Sequence, residues 1–188
     1  MGYISRSYSE DHGEHYHKNG GCKKDHDKKD RCHDKEGRTV VDFDFSNQSG
    51  AVTLATAAIL GAIAPEQVIG DVDFDKACNG DLVWLSGSST ITAPVAVAVG
   101  TTITYRIHKV RKFQNDPLLG TVIHTVTQPL PPLTIGESII VPIDFVDVLN
   151  SREDGVSYVL TVGGIAVLAV ALSATISNTT FTGTQYSN

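Results

Sequence analysis

The chain changes character at about residue 38, and this boundary limits what it can fold into more than any other feature. Residues 1–38 carry nine Lys or Arg, eight Asp or Glu, five of the seven histidines and two of the three cysteines. Ile4 is the one aliphatic residue after Met1 in that stretch. Ordering a backbone costs roughly 1–2 kcal/mol per residue, and this segment has almost nothing apolar to bury in return. It is expected to be a long polar N-terminal arm, ordered only by a metal, a crosslink or a partner. Residues 39–188 are rich in Val, Ile, Thr, Ala and Gly and hold six basic against thirteen acidic residues. A domain of that length buries roughly 68–70% of its unfolded surface, so its core needs no disulfide.

Within residues 39–188 the apolar pattern has the period of strands. Val41, Phe43 and Phe45 alternate with Asp42 and Asp44, which predicts a strand with its aromatic face half-buried and its carboxylates in water. Ile103, Tyr105 and Ile107 alternate with Thr102, Thr104, Arg106 and His108 in the same way. Val52–Ile63 is read as a strand over a helix, because the later segments are all β-like. Further strands are expected over Gln67–Phe74, Leu82–Leu85, Thr90–Val99, Leu118–Gln128, Ser138–Leu149, Val156–Val162 and Ala166–Thr182. Turns are expected at Pro65-Glu66-Gln67, Ser86–Ser89 and Pro129–Pro132, a turn or bulge at Gly163-Gly164, and a tight hairpin at Asn79-Gly80. Pro142 places its strand at a sheet edge or marks a bulge. Eight to ten strands with no long helix predict an all-β, jelly-roll-like sandwich over residues 39–188, preceded by the arm over 1–38.

Charge and hydropathy narrow the function. A net charge of −6 argues against a nucleic-acid partner with a broad basic face. The most apolar run, Gly163 to Ile176, falls short of the roughly 20 residues of a membrane helix. Residues 1–20 contain no apolar core of a Sec signal peptide.

Three sets of residues carry candidate chemistry. His12, His15, His17, Cys22, His26, Cys32 and His33 supply imidazole and thiol groups on a polar arm, a donor set for a Zn, Ni or Cu ion. Cys22, Cys32 and Cys78 form an odd set, so in an oxidising compartment at least one is free or pairs with another chain. A bond from either arm cysteine to Cys78 of the same or a neighbouring subunit would staple arm to sandwich; the other reading is three reduced, inert thiols. The carboxylates Asp71, Asp73, Asp75 and Asp81, with Asp144 and Asp147 as a second group, are of the type that could act as catalytic pairs. Alternating Asp on a strand is usually a wet face, Asp71-x-Asp73-x-Asp75 lacks the Gly and Glu placement of an EF-hand, and Ser86, Ser88 and Ser89 lack a nucleophile elbow. No enzyme is expected. The basic run Arg106–Lys112 reads as a solvated strand end, with a contact patch for an acidic partner as the other reading.

The Val/Thr/Ala/Gly-rich strands Ala51–Ile63, Thr101–Val110, Ser138–Leu149 and Ala166–Thr182 resemble the jelly-roll proteins that coat bacterial endospores, both exosporium proteins and endospore appendage fibre subunits. The resemblance implies a structural, self-assembling protein of the spore surface or extracellular space that reaches it without a Sec signal. It also implies that Cys22 and Cys32 of the arm crosslink neighbouring subunits. This arm is longer and richer in His, Lys and Asp than those of the appendage subunits.

The sequence thus predicts a fibre or coat subunit whose partners are copies of itself. Its first strand, with Val41, Phe43 and Phe45, is expected to pass to the next subunit by strand exchange. The alternatives are a metal-binding module, or a trimeric ligand-binding head using the loops Arg111–Pro117 and Asn150–Gly155. Calorimetry with Zn and Ni separates the metal reading: it requires stoichiometric tight binding that is lost when His12, His15 and His17 are replaced by Ala, and millimolar binding rejects it.

Overall fold

The computed structural model describes residues 38–55, 63–93, 101–111, 116–165 and 173–187. Nine strands run along them: β1 (Val40–Gln48), β2 (Val52–Ala55), β3 (Ile63–Phe74), β4 (Leu82–Thr92), β5 (Thr102–Arg111), β6 (Thr121–Pro129), β7 (Ser138–Val148), β8 (Val156–Ile165) and β9 (Ser173–Tyr186). Among the described residues the one helical element is a 3-10 turn, Pro117–Leu119. None is a helix long and apolar enough to cross a membrane.

All the strand pairs are antiparallel. Sheet A has the order β1-β9-β4-β7, with β2 continuing the β1 edge along β9; sheet B has the order β3-β8-β5-β6. The pairing is nested. The first two strands pair with the ninth, the third with the eighth, the fourth with the seventh and the fifth with the sixth. A chain folded into one long hairpin and then wound over itself produces this order, so the fold is the expected jelly roll.

The core lies between the sheets and follows the period of two. Sheet B contributes Val72 and Phe74 from β3, Ile103, Tyr105 and Ile107 from β5, and Tyr158, Leu160 and Val162 from β8. Sheet A faces them with Val83, Leu85 and Ile91 from β4, Val141 and Ile143 from β7, and Ile176 and Phe181 from β9. Each fully buried aliphatic or Phe side chain contributes roughly 1.5–3 kcal/mol of transfer free energy. Phe74 and Tyr158 meet edge to face, centroids 6.0 Å apart. The Tyr105 hydroxyl finds Ser89 Oγ at 2.6 Å, which satisfies both buried polar groups. Burial pushes the Tyr105 phenol up to about 12 against the lowering effect of that bond.

Several local expectations change. Ser86–Ser89 is no turn, because β4 runs straight through it: Gly87 passes close against Thr180 and Phe181 of β9, and Ser89 points inward to Tyr105. Pro65-Glu66-Gln67 lies inside β3, where a register shift between Ala64 and Gln67 absorbs the proline. Gly163-Gly164 continues β8, in register with Ile103 and Thr104. Asn79-Gly80 is a turn, with Gly80 at φ 89°, but it joins no hairpin. It carries the chain from sheet B to sheet A, since β3 pairs with β8 and β4 with β7 and β9. The Val52–Ile63 strand is observed over Val52–Ala55, and residues 56–62 lie outside the described set. Pro142 lies on β7, an edge strand as expected.

The aromatic strand is right in period and opposite in phase. Phe43 and Phe45 are 56% and 65% exposed. Asp44 instead turns toward sheet B, where its Oδ2 accepts the Asp73 amide at 2.8 Å. The reason is that β1 and β3 are both edge strands, and a carboxylate at this seam satisfies a β3 amide that the sheet leaves unpaired.

Gly183 is fixed by packing. A Cβ there would lie 2.7 Å from Phe74 Cζ and 3.0 Å from Val72 Cγ2, both core side chains. Gly183→Ala is expected to lower stability by about 1–3 kcal/mol, read as a shift of the urea midpoint at unchanged m-value.

Candidate functional site

Register places a set of exposed apolar side chains on the outer face of sheet A. Phe43 pairs with Thr184, Thr184 with Trp84, and Trp84 with Val146, so one row crosses all four strands. The row beside it runs Val40, Tyr186, Leu82, Val148. The row on the other side runs Phe45, Thr182, Ser86, Asp144. Trp84, Val146 and Val148 are 45%, 48% and 50% exposed and Val40 is 58% exposed. Phe43 and Phe45 stack at 6.3 Å. The indole is held down by Nε1–H donating to Asp144 Oδ1 at 2.5 Å. Arg38, Leu82, Trp84, Val146 and Tyr186 line a shallow groove of about 380 Å³ along this stripe. Asp144 and Arg38 border this largely apolar surface.

The outer face of sheet B carries a polar cluster whose groups pair with one another, beside the exposed Val68 and Val122. Glu66 accepts from Arg106 Nη1 at 2.8 Å on Oε2, and from His108 Nε2 at 2.7 Å and the Thr161 hydroxyl on Oε1. Burial pushes the Glu66 carboxyl up, but the bonds from Thr161 and His108 and the charges of Arg106 and His108 together hold it below its ordinary value. His108 is 3% exposed, and its Nδ1 is buried without a hydrogen-bond partner. Nearer the rim, Lys109 Nζ points inward to Asp147 at 3.1 Å and Glu153 at 3.3 Å, and the Tyr158 hydroxyl donates to Asp147 at 2.8 Å. Three members of the basic run beginning at Arg106 therefore have partners within the domain, and Lys112 lies outside the described residues. Arg106 and His108 are paired on one face and Lys109 on the other.

The expected site residues divide accordingly. Val41 sits at the register shift between Val40 and Asp42, while Phe43 and Phe45 belong to the stripe. As β1 is hydrogen-bonded to β9 from Val40 to Gln48, it is part of its own sandwich in this structure. Cys78 is buried and disulfide-bonded. Its turn is held by Asp81 Oδ2, which accepts the Cys78 amide at 2.9 Å and Gln185 Nε2 at 2.7 Å. Cys22, Cys32, His12, His15, His17, His26 and His33 lie outside the described residues. Among those described, no group of three or more His, Cys, Asp or Glu is placed to hold a metal ion.

The carboxylates of the two aspartate groups are dispersed. Asp144 faces outward to Trp84, Asp147 inward to Lys109, and Asp81 holds the buried turn. Asp71 and Asp73 line the seam with Asp44, and burial with those two charges raises the Asp71 carboxyl above its usual range. His124 stacks on Phe145 with centroids 4.5 Å apart, on the face of sheet B opposite Glu66. Sequence reasoning missed Trp84, Val146 and Val148. Their signal was available in Leu82-Val83-Trp84-Leu85 and Phe145-Val146, where consecutive apolar residues make both faces of a strand apolar.

No protein-family model matches the chain, and no curated protein matches it. Solved structures with similarity to it include infectious bursal virus-derived T=1 particles, at 9% identity over 83% of this chain and 41% of that one, TM-score 0.40. The infectious bursal disease virus VP2 subviral particle is 9% identical over 83% of this chain and 43% of that one, TM-score 0.37. The enzymatically active domain of bacteriophage CBA120 tailspike protein 4 is 10% identical over 77% and 18%, TM-score 0.33. The chain spans less than half the length of each of these.

Glu66 gives a pH test. With its folded value below the ordinary 4.5, its contribution is complete at neutral pH and is lost as pH falls through the depressed value. Glu66→Gln is expected to lower the melting temperature at pH 7, and the gap to the parent should narrow below about pH 4. A gap independent of pH in thermal melts would mean the carboxylate charge is not what stabilises the cluster.

Proposed function

We propose that the chain is a structural subunit that assembles with copies of itself into a fibre or coat, at a spore surface or elsewhere outside the cell, without catalysing a reaction. The observation that carries this reading is the apolar stripe on sheet A. Monomeric proteins rarely leave a contiguous apolar patch larger than a few hundred Å² in water. Here Val40, Phe43, Phe45, Trp84, Val146 and Val148, all about half exposed or more, share one sheet face. The arm joins the domain at Arg38, beside that stripe, a suitable origin for a connector to a neighbour. With Cys78 engaged in a disulfide, an arm cysteine, Cys22 or Cys32, as its partner would tether the connector to the turn after β3.

The role of Phe43 and Phe45 in this reading is a face contact made with β1 in place. Sedimentation velocity of the full chain is the direct test. Association is expected at micromolar concentration. Phe43→Ser with Phe45→Ser should shift the chain toward monomer while changing stability by no more than about 0.5 kcal/mol per site, because both rings are exposed. Removing residues 1–37 tests the connector without touching β1, whereas removal through residue 45 would take most of that strand out of sheet A. A chain that stays monomeric at every concentration refutes the reading.

A further inference from the structure

We infer that the outer face of sheet A is the contact between two copies of this chain, laid face to face about a two-fold axis that passes near Thr184 and Leu82. The inference rests on the self-assembly reading and specifies its geometry.

Size is the first argument. An aromatic side chain offers about 150–250 Å², so the exposed fractions of Phe43, Phe45 and Trp84 leave roughly 300 Å² of aromatic surface. With Val40, Val146 and Val148 about half exposed, the apolar part reaches roughly 500 Å². A standard interface takes about 800 Å² from each partner, about 56–65% of it apolar. The stripe with its polar border of Thr182, Thr184, Ser86 and Asp144 has that size and that composition.

Charge placement is the second argument, and it selects a copy of the chain over a different partner. Arg38 lies at the β1 end, beyond the row of Val40 and Tyr186. Asp144 lies at the diagonally opposite corner, on β7, one row past Trp84. Inverting the face onto itself about the other diagonal carries Arg38 of each copy onto Asp144 of its partner. Two identical charge pairs then close the corners, Thr184 and Leu82 on the axis meet their own counterparts, and Trp84 of each copy meets Tyr186 of its partner. A face that supplies both halves of its charge pair at symmetry-related positions is self-complementary, as a closed two-fold interface requires.

The third argument is that the neighbouring edge is blocked. On its free side β1 carries Asp44 folded across to the Asp73 amide of β3. A carboxylate set inward on an edge opposes the addition of a further strand. At the β1 side of sheet A, contact through the face then takes the place of the strand exchange expected from sequence.

The full chain with Thr184→Cys tests the axis, since a cysteine near a two-fold meets itself. Under mild oxidation it should give a covalent dimer on non-reducing gels in excess of any crosslink the parent chain forms through Cys22, Cys32 and Cys78. Arg38→Asp and Asp144→Lys should each weaken association at least ten-fold by sedimentation, and the double reversal should recover most of that loss. If the chain associates but Thr184→Cys does not crosslink, or the reversals do not compensate each other, the two-fold contact is wrong while self-assembly stands. If the parent chain does not associate at all, both fail.

Discussion

Strand β9 is the constraint on which the rest of the structure depends. It is hydrogen-bonded along one side to β1 and β2 and along the other to β4, and it connects the beginning of the domain to its middle. Its inner face supplies Ala174, Ile176 and Phe181 to the core. Gly183 and Gln185, on the same face, admit the Phe74 ring and hold Asp81 beneath the Cys78 turn. Its outer face, through Thr182, Thr184 and Tyr186, joins the aromatics of β1 to those of β4 and β7. Without β9 these apolar residues would belong to separate strands and form no continuous surface.

The two sheets treat their outer faces differently. Sheet B places Arg106 and His108 where Glu66 and Thr161 complete their hydrogen bonding, so its polar groups are consumed within the domain. Sheet A leaves Arg38 at one corner, and ties Asp144 only to an indole at the other. A charge spent on an internal partner contributes little to recognition, whereas one at the rim of an apolar face sets register and orientation. The asymmetry is why the candidate contact lies on sheet A despite the denser run of basic residues on β5.

Much of the fold is legible in the sequence because strand period is a local property. Ile103, Tyr105 and Ile107 read as a core face and are one. Phase on an edge strand is not local: Asp44 faces the seam because of an amide on β3, 29 residues away in sequence. Breaker residues mislead for a similar reason. Gly87 sits in a strand because β9 passes close to it, and Pro65 because β3 shifts register there. The aromatic half of the site, Phe43 and Phe45, could be read from alternation. Trp84, Val146 and Val148 join it only through pairings that span 60 residues or more, as the Trp84–Asp144 bond does, and no pattern within a single segment reveals those.

The nesting of the strands also dictates when the surface can exist. The fifth and sixth strands are near each other along the chain, whereas the first must wait for the ninth, and such distant closures are the slow part of folding. Phe43 and Phe45 stand beside Trp84 only once Ser173–Tyr186 has been made and has slid between β1 and β4. A growing or half-folded chain therefore lacks the continuous apolar stripe, which exists only once the domain is complete.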